Sequence, residues 1–183
     1  MIILIVGGSK SGKSMLGQKI SKSLEEKQGN LYYIATMKPF DKEDVNRINN
    51  HIIEREGWGF KTLEQSINID EISSITKKND TLLIDSITSL VTNEMFDGEN
   101  FIKYVSDKIM TGIKDISNKA NNIVIVTDYL FSDSIVYDNY TENFRKELGK
   151  LNRDIAKLSD IVIECCFNNK IIHKGKEIIG DLI

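Results

Sequence analysis

An apolar run, Ile2-Ile3-Leu4-Ile5, leads without a break into Val6-Gly7-Gly8-Ser9-Lys10-Ser11-Gly12-Lys13-Ser14, and a helical pattern follows. The order is strand, glycine-rich loop, helix. From Gly7 to Ser14 the spacing fits G-x-x-x-x-G-K-[ST], in which glycines let backbone N–H groups turn inward around phosphate oxygens, the lysine brings a mobile positive charge and the hydroxyl is placed for magnesium. The helix that follows adds the partial positive charge of its N-terminus. A glycine and serine turn with only a structural role would not need this context. The stretch therefore predicts a nucleoside-triphosphate site formed by Gly7, Gly8, Ser9, Lys10, Ser11, Gly12, Lys13 and Ser14.

Other properties of the chain narrow what such a site can serve. With 183 residues it is long enough to bury a sizeable core, and one nucleotide-binding domain over residues 1–183 is expected. A net charge of −3 offers no broad basic surface, which argues against nucleic acid as a partner. The opening apolar run is too short to span a membrane and lacks a basic leader, so a cytoplasmic protein without a membrane span is expected. The two cysteines, Cys165 and Cys166, are adjacent, which rules out an ordinary disulfide between them, and no Cys or His partners stand at zinc spacing.

Along the chain, Met15, Leu16, Ile20 and Leu24 recur at helical spacing and predict a helix from Lys13 to about Lys27, stopped by Gly29-Asn30. Leu31 to Ala35 reads as a second strand ending at Thr36. Asp41 to Glu56 reads as a helix that sets Arg47 and His51 one turn apart on one side. Phe60 to Glu64 is a short strand, and Ile67, Ile69, Ile72 and Ile75 suggest a loosely amphipathic helix. A long helix is expected from about Gly98 to Lys119, with Phe101, Tyr104, Val105, Ile109 and Ile113 buried. Asn122 to Thr127 is a core strand, Asp128 to about Thr141 a connection long enough to be functional, Glu142 to Leu158 a helix and Asp160 to Cys166 the last core strand. Residues 170–183 add an edge strand.

Thr81-Leu82-Leu83-Ile84-Asp85 is an apolar strand ending in a carboxylate, the form of a Walker B strand. Asp85 is then expected beside Ser14, the two sharing magnesium. The alternative is an acidic residue that caps the next helix. Apolar strands alternating with helices imply an α/β fold with a mainly parallel sheet covered on both faces. Ligands bind such sheets beyond the strand C-termini, where Gly7, Thr36, Asp85 and Asp128 would gather.

A set of motifs in fixed order adds a family resemblance. Gly7 to Ser14 is followed by Tyr33-Ile34-Ala35-Thr36, Arg47-Ile48-Asn49-Asn50-His51, Trp58 with Thr62-Leu63-Glu64, and Leu83-Ile84-Asp85-Ser86-Ile87-Thr88 with Thr92-Asn93. Phe144-Arg145, Gly149-Lys150-Leu151-Asn152 and Ala156 with Asp160 continue it. From about residue 1 to 167 the chain resembles the bifunctional cobinamide kinase/cobinamide-phosphate guanylyltransferases of cobalamin synthesis. The resemblance implies a P-loop NTPase fold of RecA-like type and a homo-oligomer, a trimer in the family pattern. It also implies two uses of nucleotide. ATP or GTP phosphorylates the aminopropanol hydroxyl of adenosylcobinamide; GTP then guanylylates an enzyme histidine, which passes GMP to the cobinamide phosphate.

Carried over by motif, that histidine is His51, and neutral imidazole is a competent nucleophile and leaving group at phosphorus. The catalytic set is His51, Lys13 and Asp85; Thr36, Arg47 and Glu64 join the loop as nucleotide contacts; Ser14 and Asp85 hold Mg2+. Arg47 steadies the α-phosphate or forms an ion pair with Glu43 or Asp44. Asp85 or Asp128 is the base for the kinase step. His173 is a bystander. This chain departs from the family pattern in three places. Asn50 stands where many relatives have a first histidine, Asp128 to Tyr137 replaces a glycine-rich loop, and Cys165-Cys166-Phe167 replaces a small, glycine-containing strand end. A kinase for another small molecule, or a nucleotide-binding regulatory protein without turnover, are the competing readings.

Overall fold

The computed structural model describes residues 1–98, 100–167 and 169–180. Its centre is a seven-stranded sheet made of β1 (Ile2–Gly7), β2 (Leu31–Ala35), β3 (Lys61–Glu64), β4 (Thr81–Asp85), β7 (Asn122–Asp128), β8 (Ile161–Cys166) and β9 (Asn169–Lys174). A separate two-residue hairpin, β5 (Phe96–Asp97) with β6 (Asn100–Phe101), stands outside it. The strand order is β3-β2-β4-β7-β1-β8-β9, parallel throughout except for the antiparallel edge strand β9.

Both faces are covered, which is why the central strands are apolar along their whole length. Ile3, Ile5, Leu83, Val124 and Val126 point to one side, where they pack with Leu16 and Ile20 of α1 (Lys13–Ser23). Leu4, Leu82, Ile84, Ile123 and Ile125 point to the other, onto α3 (Ile87–Met95), α4 (Ser106–Ser117) and α5 (Asn139–Leu158). The alternation is the period-two geometry of a strand read out as two cores. The further helices are α2 (Lys42–Glu54), which buries none of its residues, and the one-turn α6 (Lys176–Ile179).

The expected α/β sheet is observed, and several boundaries move. Among the described residues no long helix runs from Gly98 to Lys119. Gly98, with φ +61°, turns the chain through the β5–β6 hairpin, closed by the Phe96 and Phe101 rings 5.4 Å apart and by Ile102 N–H donating to the Met95 carbonyl at 2.8 Å. Residues 87–95 take up helix α3 instead, and α4 begins only at Ser106. Its start has no local side-chain cap; Glu147 of α5 accepts from Val105 N–H and Ser106 N–H, each at 2.9 Å. Such a long-range cap leaves no trace in local sequence. Val105, Ile109 and Ile113 are buried as expected, Phe101 is half-buried, and Tyr104 is exposed.

Residues 69–74 form a 3-10 helix rather than an amphipathic α-helix. The first helix stops at Ser23, and α5 starts earlier than expected because Asp138 caps it, accepting from Tyr140 N–H and Thr141 N–H. The expected edge strand is real only over Asn169–Lys174; α6 follows it, and residues 181–183 lie outside the described residues. Among the described residues no helix is long and apolar enough to cross a membrane.

Candidate nucleotide site at the sheet rim

The loop from Gly7 to Ser14 leaves the C-terminal end of β1 in the middle of the sheet. Gly7 is required there by space, since a Cβ would stand 2.6 Å from the Cys165 carbonyl oxygen on the neighbouring strand. Gly12 is required by conformation: it is the N-cap of α1 at φ +84°, with no side-chain cap over the first N–H groups. Free N–H groups at a helix start form an anion site. Lys13 is buried, its Nζ donating to the Gly8 carbonyl at 2.9 Å and pairing with Asp128 Oδ1 at 2.7 Å. Ser9 and Lys10 are exposed, and Ser11 and Ser14 are half-buried.

Asp128 ends β7 and lies beside Gly7 in the register. Three bonds hold its backbone and the side chain of its neighbour. Its N–H donates to Thr88 Oγ1 at 2.9 Å, its carbonyl accepts from Asn152 Nδ2 at 3.3 Å, and Thr127 Oγ1 donates to Asn152 Oδ1 at 2.8 Å. Thr36 has a similar supporting place. It is fully buried and does not line the cavity described below; its hydroxyl donates to the Ser86 carbonyl and accepts from Ser86 N–H, both at 2.7 Å. Asn93 Nδ2 in turn donates to the Thr36 and Ser66 carbonyls. These motif residues thus fix the ends of the strands from which the site is built.

On the other side of β4 a cavity of about 260 Å3 opens between the strand ends and α2. Tyr33, Arg47, His51, Arg55, Glu64 and Asp85 line it, and Val45 and Ile48 add an apolar wall. Arg47 and His51 therefore share the cavity, as their spacing implied, and among the described residues Arg47 makes no ion pair. Asp44 instead accepts from Phe40 N–H. His51 is partly buried, and its Nδ1 lies 3.1 Å from Glu54 Oε2.

Asp85 does not cap α3, because Ser86 does, accepting from Ser89 N–H. The Asp85 carboxylate instead accepts from the Tyr33 hydroxyl at 2.9 Å. Burial first, then the Asp85 charge, push the Tyr33 pKa far above the usual tyrosine range, so Tyr33 remains a neutral donor. Arg55 stacks over the Tyr33 ring at 4.1 Å and donates to Thr62 Oγ1 at 3.1 Å. Sequence reading assigned no role in the site to Tyr33, Glu54, Arg55 and Asn152; Tyr33 and Asn152 stood inside the quoted motifs, Glu54 had a local signal as an acid three residues after a helical histidine, and Arg55 had none.

The donor set fits magnesium. Ser14 and Asp85 offer one hydroxyl and one carboxylate, and Mg2+ takes few protein oxygens while sharing substrate phosphates and water. Among the described residues no group of three or more His, Cys, Asp or Glu forms an all-protein metal cage. His173, on edge strand β9, pairs with Glu164 at 2.7 Å and is not among the residues lining this cavity.

Known proteins share the fold and the family of this chain. A DnaB-like replicative helicase, solved with reference to its interactions with primase, shares the fold with a TM-score of 0.50 at 14% identity, over 89% of this chain and 46% of that one. A solved ATPase domain does so with a TM-score of 0.50 at 13% identity, over 89% of this chain and 68% of that one. The likeness is one of fold, an α/β P-loop NTPase fold. Two curated relatives are closer in sequence. The bifunctional adenosylcobalamin biosynthesis protein CobU of Escherichia coli (strain K12) is 27% identical over 175 residues, covering 88% of this chain and 93% of its own. Its counterpart in Salmonella typhimurium is 28% identical over 174 residues, with the same coverage. The family model for cobinamide kinase / cobinamide phosphate guanyltransferase matches residues 3–168. The chain belongs to that family, as a divergent member.

Proposed function

We propose that this protein is a nucleotide-dependent transferase of cobalamin synthesis that carries out both steps of its family on one nucleotide-binding domain. In the first, the acceptor hydroxyl of adenosylcobinamide attacks the γ-phosphorus of ATP or GTP. A new P–O bond forms and the bond to the nucleoside diphosphate breaks. Lys13 and the loop N–H groups hold the outer phosphates, where negative charge gathers during transfer. Asp128 is the base that takes the hydroxyl proton. Its ion pair with Lys13 supports this choice, since a group beside that ammonium lies beside the phosphates once they bind, whereas Asp85 is engaged by Tyr33. Ser14 and Asp85 would hold Mg2+, which would supply positive charge to offset that of the phosphates.

In the second step, His51 attacks the α-phosphorus of GTP, a P–N bond forms and pyrophosphate leaves. An oxygen of cobinamide phosphate then attacks the same phosphorus, the P–N bond breaks, and imidazole is regenerated with GMP on the acceptor. Arg47 and Glu64 serve as further nucleotide contacts. The observation that carries this reading is that His51, Arg47 and Asp85 line one cavity at the strand ends. A homo-oligomer fits the same reading, since α2 buries no residue of its own and leaves Ile53 67% exposed.

The test is to supply adenosylcobinamide with γ-labelled ATP and, separately, adenosylcobinamide phosphate with α-labelled GTP. Label entering the corrinoid in both reactions is the expected result. Label in the first alone leaves a kinase only. Label in neither overturns the assignment.

A further inference from the structure

We infer that Glu54 is a positioning residue for His51, selecting which imidazole nitrogen is free to attack. This rests on the guanylyltransfer reading given above. His51 and Glu54 lie three residues apart near the end of α2, on one face of the helix, and Nδ1 stands 3.1 Å from Glu54 Oε2. A carboxylate has no proton to give, so the hydrogen between them belongs to Nδ1. In the neutral ring the lone pair is then on Nε2, the nitrogen farther from the helix backbone.

The contact contributes little to stability, because side-chain pairs at this spacing on a half-exposed helix face are weak. Its consequence is chemical. An unconstrained histidine must place its proton and turn its ring before each attack, whereas one held by Glu54 presents Nε2 already oriented. The same carboxylate stabilises the positive imidazole of the phosphoramidate while GMP is attached, in the way a carboxylate orients and supports the base of a hydrolytic triad. Arg47 and Arg55 line the cavity with His51, leaving cations for the phosphates and the carboxylate for the ring.

The experiment uses the full chain with α-labelled GTP and magnesium and follows the rate of the acid-labile protein adduct in wild type, E54Q and E54A. Nitrogen NMR of the neutral His51 ring reports its tautomer in the same proteins. Expected are adduct formation at least tenfold slower in E54A with the GTP concentration dependence unchanged, partial retention in E54Q, whose amide oxygen still accepts from Nδ1, and a shift of the E54A ring away from the Nδ1–H form. A wild-type rate and tautomer in E54A would overturn the role of Glu54 while leaving guanylyltransfer intact. Absence of any adduct in wild type would overturn the guanylyltransfer reading, and this role with it.

Discussion

Lys13 and Asp128 form a 2.7 Å ion pair in which both side chains are largely shielded from water. Phosphates held by Lys13 would compete with that carboxylate for Nζ. D128N is expected to bind ATP or GTP more tightly than wild type, by up to about tenfold, equivalent to about 1.4 kcal/mol. The same variant is expected to lose about a hundredfold or more in phosphorylation rate, the usual contribution of a general base. Calorimetry with a non-hydrolysable analogue and a kinase assay separate the two effects. K13A is expected to weaken binding about 10- to 100-fold, since hydrogen bonds to charged groups contribute about 1.5–3 kcal/mol.

Tyr33 donates to Asp85, and its raised pKa keeps the hydroxyl protonated at every working pH. Removing that donor in Y33F frees the carboxylate to turn. The magnesium concentration for half-maximal activity is expected to rise about tenfold, as for other losses of a partner behind a ligand. A magnesium titration at saturating nucleotide checks this. The alkaline side of the pH profile is expected to be the same in both proteins, because Tyr33 does not ionise there.

Asn152 ties α5 to the end of β7 through both atoms of its amide. In N152A the fully buried Thr127 loses the partner of its hydroxyl. The expected cost is about 1–3 kcal/mol, and at about 2–4 °C per kcal/mol for a chain of this size the thermal midpoint falls measurably. Scanning calorimetry gives the value.

Two adjacent glycines should respond differently to alanine. At Gly7 a Cβ meets the backbone oxygen of Cys165 at 2.6 Å, whereas at Gly8 nothing lies within 4 Å. G7A is expected to lower the thermal midpoint by several degrees, and G8A to leave it near that of wild type.

The parts of this molecule that were legible in the sequence are those set by short-range pattern. The strand before the phosphate loop, the Asp85 strand and the Asn122 strand announced themselves because strands buried on both faces must be apolar throughout. His51 and Arg47 were legible by helical spacing together with a motif. What was hidden depends on contacts across the chain. Glu147 caps a helix 41 residues away, Asn152 reaches 25 residues back to Thr127, and Tyr33 meets Asp85 across 52 residues. Thr36 looked like a ligand contact because it ends a strand at the rim, yet its hydroxyl is occupied by the Ser86 backbone. The over-long helix from Gly98 had an apolar pattern of helical period, but a glycine at positive φ and a pair of phenylalanines turned the chain back first.

The assignment of two activities to one rim depends most on the chemistry of His51. Intact-protein and peptide mass spectrometry after incubation with GTP and magnesium tests it directly. The account expects one guanylyl group per chain, located on His51, absent in H51A, and released as product when cobinamide phosphate is added. A guanylyl group on any other residue, or an H51A protein that still transfers GMP, would contradict it.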